Sequence, residues 1–111
     1  MEIQHQNLAN GRWFTFSLAE QLGNIGSEVG RALTWKKKEN HEQETKALGR
    51  ALELFDLSLA DARWNLPKLK EIARAREVVC DYFFNGNDYN TSAEFLNKYF
   101  LQFGILARAN K

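Results

Sequence analysis

At 111 residues, the chain has room for one domain and is too short for two ordinary ones. Hydrophobic residues make up 44% of it and charged residues 26%, a balance that excludes a disordered tail. The formal net charge of +1 gives no bulk attraction to nucleic acid or to an anionic membrane surface.

The first half of the chain carries two segments with helical periodicity, and no segment alternates as a strand does. Residues 1–12 are polar and are expected to form a loose N-terminal segment, followed by a single domain over residues 13–111. Ser17 and Glu20 have the spacing of a capping box, which predicts a first helix from there to about Lys38.

The middle of the chain contains further signals for helix starts and ends. Asn40 is a typical N-cap, which predicts a second helix running to about Arg63. Pro67 is tolerated in the first turn of a helix and opens the third, which should end at the C-cap pattern Asn85-Gly86.

The fourth helix is predicted to start at a second capping box, Thr91 and Glu94, and to run to about Arg108. Its inward side is expected to contain five large side chains: Phe95, Leu96, Tyr99, Phe103 and Leu106. Four helices of similar length with short connections predict an all-α fold, an antiparallel up-down-up-down four-helix bundle.

A stripe of small residues lies beside the apolar stripe of the first helix and consists of Ala19, Gly23, Gly26 and Gly30. Each glycine inside a helix costs about 1 kcal/mol relative to alanine, so a compensating interaction is expected. Three interpretations are open. A neighbouring helix or ring approaches closely, the helix breaks near Gly23, or a ligand or partner meets bare backbone in a groove.

One arginine of the third helix, Arg76, falls near the centre of that helix's apolar arc. Desolvating a lone guanidinium is costly, so a carboxylate partner is expected. Glu28 of the first helix and Asp56 of the second are the candidates. The interpretations are a buried ion pair that fixes helix register, a polar site for an anionic ligand, or a side chain that extends to solvent.

Three apolar residues project away from the predicted interior: Leu57 on the second helix, and Leu101 and Ile105 one turn apart on the fourth. Grouped apolar side chains indicate covered surface. The cover is expected to be either the segment around Trp13 or another copy of the chain. Of these we favour a homo-oligomer, with a dimer the commonest form.

The residues that metal and covalent chemistry need are missing. A di-iron carboxylate bundle needs two Glu-x-x-His motifs, whereas only Glu2 and His5 match, and they lie in the polar N-terminus. Two histidines and one cysteine are too few for a typical four-ligand zinc site of Cys and His. Cys80 falls on the apolar arc without a nearby base, and no phosphate-binding glycine loop occurs. No cofactor, metal or catalytic residue is therefore expected.

The predicted architecture is shared with HEPN proteins, small helical bundles that include ribonucleases and partner subunits of minimal nucleotidyltransferases. The ribonuclease members carry Arg, four to six residues and then His. Here His41 is preceded at those distances by Thr34, Trp35 and Lys36, so the motif is absent and no residue role is transferred.

The leading hypothesis for function is a non-enzymatic, self-associating interaction protein with an unknown protein partner. The alternatives are a helical partner subunit of a small nucleotidyltransferase, or a binding module for RNA or an anionic small molecule. Arg31, Trp35 and residues 36–38 form a basic helix end that favours the RNA alternative. The lone cysteine, together with the lack of a signal peptide or a membrane-length apolar run, favours a cytoplasmic protein outside the membrane.

Overall fold

The computed structural model describes residues 11–109 and is all-helical over that range, as predicted. After a short 3-10 turn, Arg12–Thr15, come four helices: α1 Leu18–Lys37, α2 His41–Leu59, α3 Leu66–Phe84 and α4 Ala93–Ala109. They form an antiparallel four-helix bundle in which α1 packs against α2 and α4, and α3 packs against α2. The predicted loose N-terminus lies outside the described residues, except at its end, where Arg12 begins the 3-10 turn.

Most helix starts follow the predicted caps. Ser17 and Glu20 form both hydrogen bonds of the capping box at the start of α1. The side chain of Asn40 accepts a backbone N–H in the first turn of α2, as predicted, and Asn65, for which no cap was predicted, does the same at the start of α3. The cap predicted at Thr91 is wrong by one residue. Instead, Ser92 Oγ accepts the backbone N–H of Phe95 at 3.0 Å.

The small-residue stripe of α1, here called the glycine face, is covered by α4. A Cβ atom built on Gly26 would lie 2.4 Å from Cβ of Phe100, and one built on Gly23 would lie 3.3 Å from Cα of Gly104. Because helices usually pack 8–10 Å apart, contacts between backbone atoms require small residues on both sides. Gly23 and Gly26 are thus occupied by close packing against α4, and α1 is continuous through Gly23 rather than broken.

The predicted inward side of α4 is only partly correct. Leu96 and Phe100 are its buried large residues, whereas Phe95 and Leu106 are at least half exposed. Apolar side chains occupy most of the circumference of this helix, so periodicity does not determine which side faces inward. The orientation is instead set by the contact of Phe100 with the glycine face.

Candidate functional site

Arg76 of α3 reaches Asp56 of α2, with 3.2 Å between the guanidinium Nε and the carboxylate Oδ1. Both groups are open to water, since the side chain of Asp56 is 65% exposed and that of Arg76 is 36% exposed. This corrects the expectation of a buried polar site. The aliphatic stem of Arg76 is long enough to cross the apolar arc and carry the charge to solvent.

Glu28 is not part of that pair. Its largely buried carboxylate accepts a hydrogen bond from Nε of Arg50 on α2 at 2.6 Å, and its other oxygen pairs with Arg31 on α1. A buried carboxylate is tolerated when both oxygens have charged donors. We therefore assign the Glu28 cluster to holding α1 against α2 rather than to binding.

A buried polar network that the sequence did not indicate closes one end of the bundle. Gln21 of α1 and Ser58 of α2 are fully buried, and Ser58 Oγ donates to Gln21 Oε1 at 2.8 Å. The indole N–H of Trp13 donates to Ser58 at 3.1 Å, while the amide of Gln21 donates to the carbonyl of Trp13 at 3.1 Å. These reciprocal bonds fix the 3-10 turn over the ends of α1 and α2 and leave each of these polar atoms partnered.

Asp61 extends the network to the surface. Its buried carboxylate accepts from Gln21 at 3.0 Å and from the guanidinium of Arg63 at 2.6 Å. The hydrogen bonds from Arg63 are the main reason why the pKa of Asp61 falls from 3.8 to about 2, although burial opposes the shift. Arg63 also donates to the carbonyl of Phe16 at 2.6 Å. The prediction that α2 continues to Arg63 is wrong, because this turn takes over after Leu59.

Asp81 lies opposite the apolar arc of α3 by helical angle, yet it is buried. Its carboxylate accepts the backbone N–H groups of Asp88 at 2.9 Å and Tyr89 at 3.0 Å. Its carbonyl accepts the N–H of Asn87 at 3.0 Å. The connection between α3 and α4 therefore folds back over the end of α3, and a fixed loop positions the first turn of α4.

Large apolar side chains are exposed on α4. Leu101 is 55% exposed, Ile105 is 52% exposed and Leu106 is 50% exposed. Leu101 and Ile105 lie about 40° apart around the helix, and we call these two residues the outer α4 face, whereas Leu106 lies about 140° from Leu101, on the side of Phe95. Leu57, the remaining residue of the predicted oligomer face, lies on α2 and packs partly buried against the core. The structure thus leaves Leu101 and Ile105 as interface candidates and gives Leu57 a position in the bundle.

The basic end of α1 is exposed. The ammonium of Lys38 lies 5.3 Å from the ring centre of Trp35, and that of Lys36 lies 6.0 Å from the ring centre of Tyr82. Both lysines are therefore placed by aromatic faces next to solvent. This arrangement keeps the cations accessible to an anionic partner.

Within residues 11–109, no group of three or more His, Cys, Asp or Glu side chains is placed to hold a metal ion. Cys80 is a free, partly buried thiol, and its burial raises its pKa. A thiol of this kind is a poor nucleophile at neutral pH. His41 is exposed at the start of α2, and His5 lies outside the described residues.

Comparisons with protein-family models, with curated proteins and with solved structures found no match for this chain. None of the helices in the described range combines the length and the apolar character that crossing a membrane requires.

Proposed function

We propose that this protein is a non-enzymatic helical interaction protein that self-associates through the outer α4 face. The observation that carries the proposal is the exposure of two large apolar side chains, Leu101 and Ile105, one turn apart on one side of α4. Apolar side chains grouped in this way mark a surface that a partner covers. We place the protein in the cytoplasm, because its single cysteine is a free thiol.

Charges on either side of Leu101 favour a second copy of the chain as the partner. Glu94 precedes Leu101 by seven residues and Arg108 follows it by seven. Seven residues make about two helical turns and span about 10 Å, so all three side chains share one side of α4. In an antiparallel pair related by a two-fold axis at Leu101, each Glu94 lies beside the Arg108 of the other copy.

A charge exchange tests this arrangement by sedimentation equilibrium. Glu94→Arg places two cations together in the dimer and should weaken association by about tenfold, and Arg108→Glu should do the same with two anions. The double variant, Glu94→Arg with Arg108→Glu, restores opposite charges at both ends and should restore association.

A matched control is available on α2. Glu42 pairs with Lys46 one turn along the helix at 3.3 Å, as Glu94 pairs with Lys98 at 3.2 Å. Glu42→Arg therefore makes the same local change away from α4 and should leave association unaltered. A chain that is monomeric at high concentration, or a double variant that associates no better than the single ones, contradicts the proposal.

A second candidate function is RNA binding at the basic end of α1. It is favoured by the exposed lysines Lys36, Lys37 and Lys38 beside the ring of Trp35, a combination that suits a phosphate backbone and an unstacked base. A salt titration of the binding of single-stranded RNA tests it. An affinity that falls steeply with salt supports phosphate contacts, and a slope near zero removes this candidate.

A further inference from the structure

A cleft lies between α3 and α4. Its volume is about 550 Å³, and its walls include Arg74, Ala75 and Val78 of α3 and Phe95, Tyr99 and Phe100 of α4. We call this space the α3–α4 cleft. Sites for small organic molecules have volumes of about 300–1,000 Å³ and mainly apolar walls with a few polar groups. The cleft meets both conditions.

The aromatic rings of α4 give the cleft a preference for flat, apolar groups. The rings of Phe95 and Tyr99 are nearly parallel, with an interplanar angle of 20° and centres 6.4 Å apart. The ring of Phe100 stands edge-on to that of Tyr99 at 5.0 Å. An aromatic ligand can stack on one of these faces and meet the edge of another, which is how aromatic groups pack favourably.

The carboxylates near the cleft already have donors. The hydroxyl of Tyr99 donates to Glu71 Oε1 at 3.0 Å, and the hydroxyl of Tyr89 donates to Glu77. Burial, and then the hydrogen bond to Glu71, raise the pKa of Tyr99, so that its proton stays in place at neutral pH. The hydrogen bond to Glu77 likewise raises the pKa of Tyr89. Both tyrosines therefore remain donors to these acids.

Arg74 is the cation of the cleft wall. Within residues 11–109 it forms no ion pair with a carboxylate, in contrast to Arg76 two residues further along α3. The loop that closes this end of the cleft leads into the first turn of α4, where the helix dipole is positive. An exposed guanidinium that has no carboxylate partner within the described residues is suited to pair with a ligand carboxylate in a fork geometry.

We propose that the α3–α4 cleft binds an aromatic carboxylate, with its ring against Phe95 and Tyr99 and its carboxylate paired with Arg74. Glu71 is the acidic group that faces such a ligand, and its hydrogen bond to Tyr99 offsets part of the repulsion. The cleft lies within one chain, so binding does not depend on self-association.

Titration calorimetry with naphthoate and with the neutral naphthamide tests the proposal on the full chain. We expect naphthoate to bind at least about tenfold more tightly, because only the carboxylate forms a charge-assisted pair with Arg74. Amide NMR shifts should be confined to the cleft walls, for example at Val78 and Leu96.

Two variants of α3 separate charge recognition from general apolar binding. Arg74→Gln should reduce naphthoate affinity to that of naphthamide, whereas Arg76→Gln removes a nearby guanidinium outside the cleft and should change neither. Phe95→Ala should weaken both ligands. The proposal is overturned if neither ligand binds at millimolar concentration, if the two bind equally, or if the Arg74 and Arg76 variants behave alike.

Discussion

The two sides of α4 meet the rest of the bundle in different ways. Against α1 the helices touch through glycine, and the backbones of Gly23 and Gly104 are in near contact. Against α3, large aromatic side chains hold the helices apart and leave a cleft of about 550 Å³. Small residues thus allow α1 and α4 to pack closely, while large residues keep α3 and α4 apart and leave the space between them accessible.

The polar groups also differ between two regions of the molecule, the end of the bundle that the 3-10 turn closes and the α3–α4 cleft. At the closed end of the bundle, Gln21 and Ser58 are fully buried and their hydrogen bonds are made within the protein. At the cleft, Arg74 has no carboxylate partner within the described residues. Polar groups that are satisfied internally stabilise the fold, whereas a cation without a carboxylate partner in the described part of the chain can still form an ion pair with a ligand.

The closed end of the bundle and the α3–α4 cleft should differ most in how much stability is lost when an aromatic residue is truncated. Trp13→Ala should lower the free energy of unfolding by about 3–5 kcal/mol, because it leaves a cavity and removes the donor to Ser58. Phe95→Ala should cost about 1 kcal/mol or less, since the ring is 55% exposed at the cleft. Urea unfolding followed by circular dichroism measures both values. Equal losses would contradict the claim that the closed end is tightly packed and the cleft is open.

Acid should weaken the closed end first. The pKa of Asp61 is lowered from 3.8 to about 2 in the folded protein, so the unfolded chain takes up its proton first as pH falls. The associated stability, about 2 kcal/mol, is present above about pH 4 and is lost between pH 4 and pH 2. Unfolding free energies measured across this range should fall more steeply for the natural chain than for Asp61→Asn. Parallel pH curves would show that Asp61 makes no such contribution.

Adding one methyl group distinguishes tight from loose positions on the glycine face. Gly26→Ala should cost about 1–2 kcal/mol net, because overlap with Phe100 exceeds the gain in helix propensity. At Gly30 the nearest atom to an added Cβ is Oδ1 of Asn97 at 3.8 Å, so Gly30→Ala should stabilise by about 0.5–1 kcal/mol. Thermal unfolding gives the sign of each change, and stabilisation by both substitutions would contradict the close contact with α4.

The smallest effect is expected at the exposed ion pair of α2 and α3. Arg76→Leu should change the free energy of unfolding by less than about 1 kcal/mol, because the pair with Asp56 is solvated on both sides. Chemical unfolding of the variant measures this. A loss of several kcal/mol would contradict the solvent exposure of this ion pair and would indicate that the guanidinium is buried.

The helices and most of their caps could be predicted because local chemistry determines them. The Ser17–Glu20 capping box and the apolar stripe through Leu22, Ile25 and Val29 are examples. These signals lie within a few residues of each other in the sequence. Local hydrogen bonds and periodicity were therefore sufficient to identify the all-α fold.

The polar contacts could not be predicted, because their partners come from distant segments. Gln21, Ser58 and Asp61 carry no common pattern, and only the packed ends of α1 and α2 bring them together. Asp81 lies on the polar side of α3 by angle, yet the following loop folds over it. The orientation of α4 was ambiguous for a related reason, since its apolar residues surround most of the helix.

Disulfide trapping at Leu101 tests self-association through the outer α4 face most directly. A two-fold axis at this residue brings its two copies within the range of Cα separations that a disulfide spans. In a Cys80→Ala chain, Leu101→Cys should give a covalent dimer on mild oxidation, whereas Ser27→Cys, at an exposed position of α1, should not. A Leu101→Cys chain that stays monomeric, or that is trapped no faster than the Ser27→Cys chain, would contradict the proposed dimer.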